Sequence, residues 1–252
     1  MYLLVLGWAY QLQRWFFVHS ETPEEPNLLV VFGSESSVVR PLIEEYARHS
    51  HVVRVFNRTE PSKLPNCVDT NDISALSGIL ASIDVKGPKR IAVVGVATIS
   101  QQKLFTLLKN EEIDQMIETN VRSYVRILNE VVPAMVKERY GRLVYLSSLR
   151  ARYPAKGTSI YSASKVFCES LFGSVGREYG RLNVTSVSIR MGFFGGRMVD
   201  DLPPKLVEDQ LKKVALRRQG SSNELREAIK FAFANPYLNG GVIELDGGYS
   251  CD

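Results

Sequence analysis

The chain alternates between short, almost wholly apolar runs and longer stretches whose apolar positions recur every three or four residues. Apolar runs at 27–32, 52–58, 90–94, 141–148, 182–189 and 241–248 predict strands, several buried on both faces. Between them, helical periodicity predicts a helix from the turn at Gly33 to about Arg48 and a short one over 73–83. A long helix over 111–140 should bend at Pro133, and further helices cover 161–179 and 223–234. Strand and helix patterns in strict alternation predict a single α/β domain, a doubly wound parallel sheet of about seven strands. Only ten residues separate Arg58 from Asp69, too few for a full crossover helix and strand, so the third strand should be abbreviated.

Residues 1–26 fall outside this pattern and are read as an apolar N-terminal arm and linker preceding a domain over 27–252. Residues 1–19 carry Leu3, Leu4, Leu6, Trp8, Trp15, Phe16 and Phe17, and 20–26 hold two prolines and three glutamates. The apolar run is too short and interrupted for a membrane span of about 20 residues, so the arm is expected to be retained, ordered and packed on a protein surface. Membrane attachment is not expected. A net charge of +4, from 31 Lys+Arg against 27 Asp+Glu, carries no basic run dense enough to point to nucleic acid. The pairs Lys212-Lys213 and Arg217-Arg218 read as a solvated face. Three scattered cysteines and three histidines exclude a spaced metal site and a histidine-based triad. Mitochondrial matrix and cytoplasm both suit a chain of this composition.

Chemistry concentrates at Tyr161-Ser162-Ala163-Ser164-Lys165. A tyrosine and a lysine four residues apart share one helix face. An ammonium beside a phenol should lower its pKa from about 10, toward a group that exchanges a proton with an alcohol or carbonyl oxygen at neutral pH. Ser148 lies thirteen residues earlier, at the end of a strand that can deliver its hydroxyl beside that helix. Asn120 sits inside a long helical pattern, where a buried amide requires hydrogen-bond partners.

With these residues the chain resembles a short-chain dehydrogenase/reductase, most similar to the 3-oxoacyl-[acyl-carrier-protein] reductase branch. The resemblance covers about residues 27–250 and is strongest at 110–120, 141–148, 161–165 and 245–249. It implies a Rossmann-like fold, a nicotinamide cofactor and a catalytic tetrad of Tyr161, Lys165, Ser148 and Asn120. In that tetrad Tyr161 is the acid/base, Lys165 lowers its pKa and holds the cofactor ribose, Ser148 positions the substrate oxygen and Asn120 holds a water leading to the lysine. It further implies cofactor contacts from Gly33, Ser37, Arg58, Asp69, Gly95 and Gly192. Arg58 stands where an arginine receives the 2′-phosphate in NADP-preferring relatives.

The same comparison shows where this chain departs. The phosphate-cradling loop of the family, Thr-Gly-x-x-x-Gly-x-Gly, keeps Gly33 but carries Phe32, Ser37 and Val39 at the other fixed positions. Glu35 brings a carboxylate to the place of the phosphates. Gly95-Val96-Ala97-Thr98 replaces Asn-Asn-Ala-Gly, and Met191 to Gly196 lacks the threonine that grips the nicotinamide amide. Two expectations follow. One is an NADP(H)-dependent reductase of a small-molecule carbonyl or acyl substrate, forming a homo-oligomer and binding its cofactor weakly. The other is a weak or inactive member, with no cofactor, serving as a structural subunit of a larger assembly through its N-terminal arm. A halohydrin-dehalogenase-like enzyme also loses the glycines, but such relatives carry arginine where Lys165 stands.

Overall fold

The computed structural model describes residues 25–56, 67–69, 73–96, 98–196, 199 and 202–250. Arg58 and the arm at residues 1–24 lie outside them. Seven parallel strands form one sheet: β1 (Leu28–Phe32), β2 (His51–Phe56), β3 (Cys67–Asp69), β4 (Ile91–Gly95), β5 (Gly141–Ser148), β6 (Val184–Met191) and β7 (Gly241–Leu245). Their spatial order is β3-β2-β1-β4-β5-β6-β7, which is the doubly wound arrangement the hydropathy pattern predicts. Seven helices accompany them among the described residues: α1 (Arg40–Tyr46), α2 (Ala75–Ser82), α3 (Asn110–Ile117), α4 (Ser123–Glu138), α5 (Ser159–Tyr179), α6 (Pro204–Leu211) and α7 (Ser222–Ala234).

The strand alternation of period two divides the core in half. In β1, Leu28, Val30 and Phe32 face one layer with residues of α2, α4 and α5, including Leu76, Ile127 and Phe172. Leu29 and Val31 face the other layer with Leu42 of α1 and Leu225 and Ile229 of α7. A parallel strand covered on both faces has no solvent side, which is why β1 and β4 read as unbroken apolar runs. Phe32, at the position of the family's threonine, packs edge-on against Tyr124 with ring centroids 4.8 Å apart.

Two features differ from the sequence expectation. The helix predicted over 111–140 is interrupted by a π-helical turn at Glu118–Arg122, between α3 and α4, while Pro133 lies within α4. The turn inserts where Asn120 and Thr119 are buried, so the extra residue per turn serves to aim Asn120. The second feature is Arg142, buried at 3% exposure in β5. Its guanidinium donates to the carbonyls of Phe233, Gly141 and Asn183 and to Asn183 Oδ1, and lies 4.3 Å from the Tyr140 ring centre. Neutral oxygens thus take its donors and stitch α7, β5 and the entry to β6 at the end of the sheet remote from the site.

Candidate active site

The chain reverses its direction of winding between β1 and β4, and a cavity of about 1660 Å³ opens at the carboxyl ends of the strands there. Gly33, Val96, Ser148 and Gly192 line it, just after β1 and β4, at the end of β5 and just after β6; Tyr161 and Lys165 line it from α5. The helical spacing and the strand end therefore bring Ser148, Tyr161 and Lys165 together as the motifs implied. The two helix residues are 8% and 2% exposed, so neither is a solvated surface pair.

Burial governs their protonation. It raises the Tyr161 phenol above its ordinary value, opposed by a hydrogen bond with Ser148 and by the charge of Arg150. It also lowers the Lys165 ammonium to about 8. The lysine Nζ donates to the Leu146 carbonyl at 3.0 Å and lies 5.7 Å from the centre of the Tyr161 ring. The expected lowering of the phenol by Lys165 is absent from this arrangement. The ammonium is turned to the strand carbonyl, and desolvation dominates the phenol.

Asn120 is buried, and its side-chain amide is hydrogen-bonded within the protein. Its Oδ1 accepts from the Ile99 N–H at 2.7 Å, and its Nδ2 donates to the Ile99 carbonyl at 2.9 Å and to Ser164 Oγ at 3.2 Å. Through these partners the amide clamps the 99 segment to α5. Its carbonyl accepts from the buried Cys168 thiol.

Sequence reasoning missed the residues that hold this arrangement in place. Gln101, 5% exposed, accepts with Oε1 from the Ile160 and Tyr161 N–H groups at 2.9 and 3.3 Å, capping the start of α5 from a distant loop. Nothing at the sequence level marks a glutamine sixty residues away as a cap. One turn beyond Lys165, Glu169 accepts from Ser147 Oγ at 2.6 Å and pairs through both oxygens with Arg190 of β6. Arg190 and Arg152 both reach Glu244 of β7, so five side chains tie α5, β5, β6, β7 and the loop after β5 beneath the site. These pairings depend on strand register, which sequence spacing does not specify.

The residues fit a nicotinamide dinucleotide at its reactive end and only loosely at its pyrophosphate end. The cavity is large enough, for it exceeds the 300–1,000 Å³ or so of ordinary ligand pockets. Thr98 Oγ1 borders it and is buried without a hydrogen-bond partner among the described residues, a polar atom suited to a ligand. Gly33 turns the chain with φ +85°, and its N–H donates to the Val55 carbonyl. Ser37, Val38 and Val39 then form a single 3₁₀ turn, with Val39 1% exposed in the core where the family keeps a glycine. Ser37 borders the cavity, and its hydroxyl would sit 3.0 Å from a Cβ added at Gly196, so the loop after β6 lies against it. Glu35 also lines the cavity.

Gly95 is explained by packing, since a Cβ there would stand 2.5 Å from the Tyr124 ring. Gly192 does line the cavity, and a Cβ there would strike the backbone of Asp246 at 2.5 Å. Asp69 ends β3 opposite Phe56 of β2.

Comparison with known proteins agrees with this geometry. The short chain dehydrogenase family model matches residues 37–206, well over half of the chain. Among curated relatives, 3-oxoacyl-[acyl-carrier-protein] reductase FabG of Thermotoga maritima is 28% identical over 191 residues, covering 75% of this chain and 78% of its own. The FabG of Pseudomonas aeruginosa is 25% identical over 236 residues, covering 87% and 95%. Nodulation protein G of a Rhizobium is 27% identical over 185 residues, covering 73% and 74%. A doubly wound sheet, a cavity at its switch point and a family match across 37–206 together make this chain a member of the short-chain dehydrogenase family, an oxidoreductase of that type.

Proposed function

We propose that this protein is an NADP(H)-dependent reductase of a small-molecule carbonyl or 3-oxoacyl substrate. The observation that carries the reading is the convergence of Ser148, Tyr161 and Lys165 on one cavity wall, with the phenol and ammonium buried. A bound NADPH would supply the hydride. Ser148 would hold the carbonyl oxygen through its hydroxyl. Tyr161 would deliver the proton from its phenol to that oxygen, and Lys165 would pass a replacement proton and hold the cofactor's ribose. A phenol kept protonated by burial is in the correct state to act as the acid in the reducing direction.

The test follows NADPH oxidation by absorbance with a 3-oxoacyl thioester and with simple ketones. Tyr161→Phe should lower turnover by roughly 10²–10⁴-fold, the range for a general acid, while leaving cofactor affinity within about twofold. A variant as active as wild type would remove the proposal.

A second reading has its own support: Val39 in the core, and Glu35 where phosphates would lie. In it the protein is a weak or inactive member that serves a larger assembly, mitochondrial or otherwise, through residues 1–19. Direct titration of NADPH by fluorescence separates the two, since an inactive subunit predicts no saturable binding. We further propose a homo-oligomer. Val125 of α4 and Val166 and Phe167 of α5 are 42%, 46% and 46% exposed, an apolar surface two copies could cover.

A further inference from the structure

The cavity contains a cation that the reductase chemistry above does not use. Arg150 lies on the 3₁₀ turn Leu149–Ala151 directly after Ser148, and its N–H donates to Ser148 Oγ at 3.2 Å. Its guanidinium is half-buried and lines the same cavity as Tyr161. Its side-chain partners are neutral: Nη1 donates to the Tyr153 carbonyl at 3.4 Å and Nη2 to Gln210 Oε1 of α6 at 3.1 Å, with the Tyr249 ring centre 6.0 Å away.

The neighbouring arginines behave differently. Arg152 pairs with Glu244, Arg190 with Glu169 and Glu244, and Arg122 with Glu118. Among the described residues, Arg150 has no carboxylate within ion-pair distance. The carboxylates that do line the cavity belong to other elements: Glu35 follows β1, Asp114 is in α3, and Glu118 is already engaged by Arg122 and Arg126. Lys156, exposed on the loop that leads to α5, adds a second cation to the cavity lining without an ion pair among the described residues.

A guanidinium partly removed from water and bonded only to amide oxygens is under-compensated. A carboxylate satisfies it better, through two parallel charge-assisted hydrogen bonds. Because Arg150 is two residues from Ser148, an anion gripped by one and a carbonyl gripped by the other would sit a few bonds apart. We propose that Arg150 forms a carboxylate subsite and that the substrate is a short oxo acid, its carbonyl held at Ser148 and Tyr161. This rests on the reductase reading. The charge of Arg150 also reaches the phenol, whose proton affinity it lowers. A bound carboxylate would neutralise that charge and leave Tyr161 more firmly protonated, the state needed to donate. Gln210, released from Arg150 by the anion, links occupation of the subsite to α6 at the rim.

The test compares acetoacetate and pyruvate with their methyl esters, which keep the carbonyl and remove the charge. Wild-type protein should favour the acids by at least about tenfold in kcat/KM. Arg150→Gln keeps a neutral polar head and should reduce kcat/KM for the acids by about 10²-fold, and for the esters at least about tenfold less than for the acids. Arg150→Lys should recover part of the loss on the acids, because it restores charge without the fork. Preference for the esters, or an equal loss on acids and esters, would overturn the subsite and leave Arg150 a prop for α6.

If no carbonyl is reduced, the reductase reading falls by itself, and the subsite is still read by thermal shift with 3-hydroxybutyrate and its methyl ester. Stabilisation of wild type by the acid alone, lost in Arg150→Gln, would support the subsite. No shift, or the same shift with both compounds, would overturn it.

Discussion

Replacing Lys165 by Met tests the burial argument directly. In the folded protein this ammonium titrates near 8, against 10.5 for an ordinary lysine, because the folded chain removes it from water and gives it one carbonyl. Below pH 8 both folded and unfolded chains carry the proton, and the folded state bears the full cost of the buried charge. Between 8 and 10.5 the unfolded chain binds more protons than the folded one, so this contribution makes stability rise with pH. The shift corresponds to about 3 kcal/mol in all, of which about 2.5 kcal/mol is relieved between pH 7 and 10.

Methionine fills similar volume without a charge, and it leaves the Leu146 carbonyl without its donor at a cost of about 1–3 kcal/mol that does not depend on pH. The informative quantity is therefore the difference in unfolding free energy between variant and wild type, measured by urea denaturation at several pH values. Lys165→Met should be at its most favourable relative to wild type at pH 7 and should lose about 2.5 kcal/mol of that relative stability by pH 10. Other titrating groups are common to both proteins and largely cancel. Cys168 feels the charge of Lys165, but burial raises its thiol to about 11, so in the folded protein it stays largely protonated across this range. A difference that is flat across this range would mean that Lys165 keeps an ordinary pKa, and the account of the site's electrostatics would be wrong. The variant should also be inactive, so stability and activity would move in opposite directions.

Gln101→Ala removes the acceptor for the Ile160 and Tyr161 N–H groups and should destabilise the fold by about 1–2 kcal/mol. It should also depress kcat more than KM, and Gln101→Asn, too short to reach α5, should resemble it; a loss of stability with unchanged kcat would limit Gln101 to a structural cap. Arg58→Ala, in a segment outside the described residues, should weaken NADPH more than NADH in a fluorescence titration. Equal weakening would remove the basis for NADP preference.

The distribution of what was legible in the sequence follows from the range of the forces. Parallel strands buried on both faces must be apolar along their whole length, so β1, β4 and the sheet class were readable from hydropathy alone. Helical spacing placed Tyr161 and Lys165 on one face, because i and i+4 neighbours are set by local geometry. The eroded phosphate loop was readable as well, since it is defined by which residue follows which.

Pairing across long separations was not readable. Gln101 on the start of α5, Glu169 on Arg190, and Arg142 on the end of α7 depend on strand register and helix placement, which sequence spacing does not specify. The π turn at Glu118–Arg122, which interrupts the long helical pattern where Asn120 is buried, had no signal in the sequence either. Protonation was likewise a tertiary outcome. Sequence proximity suggested that Lys165 would draw the phenol's pKa down, but the fold desolvates both groups and turns the ammonium to Leu146. Order along the chain determined which groups could meet in the cavity, and burial decided how each of them is charged there.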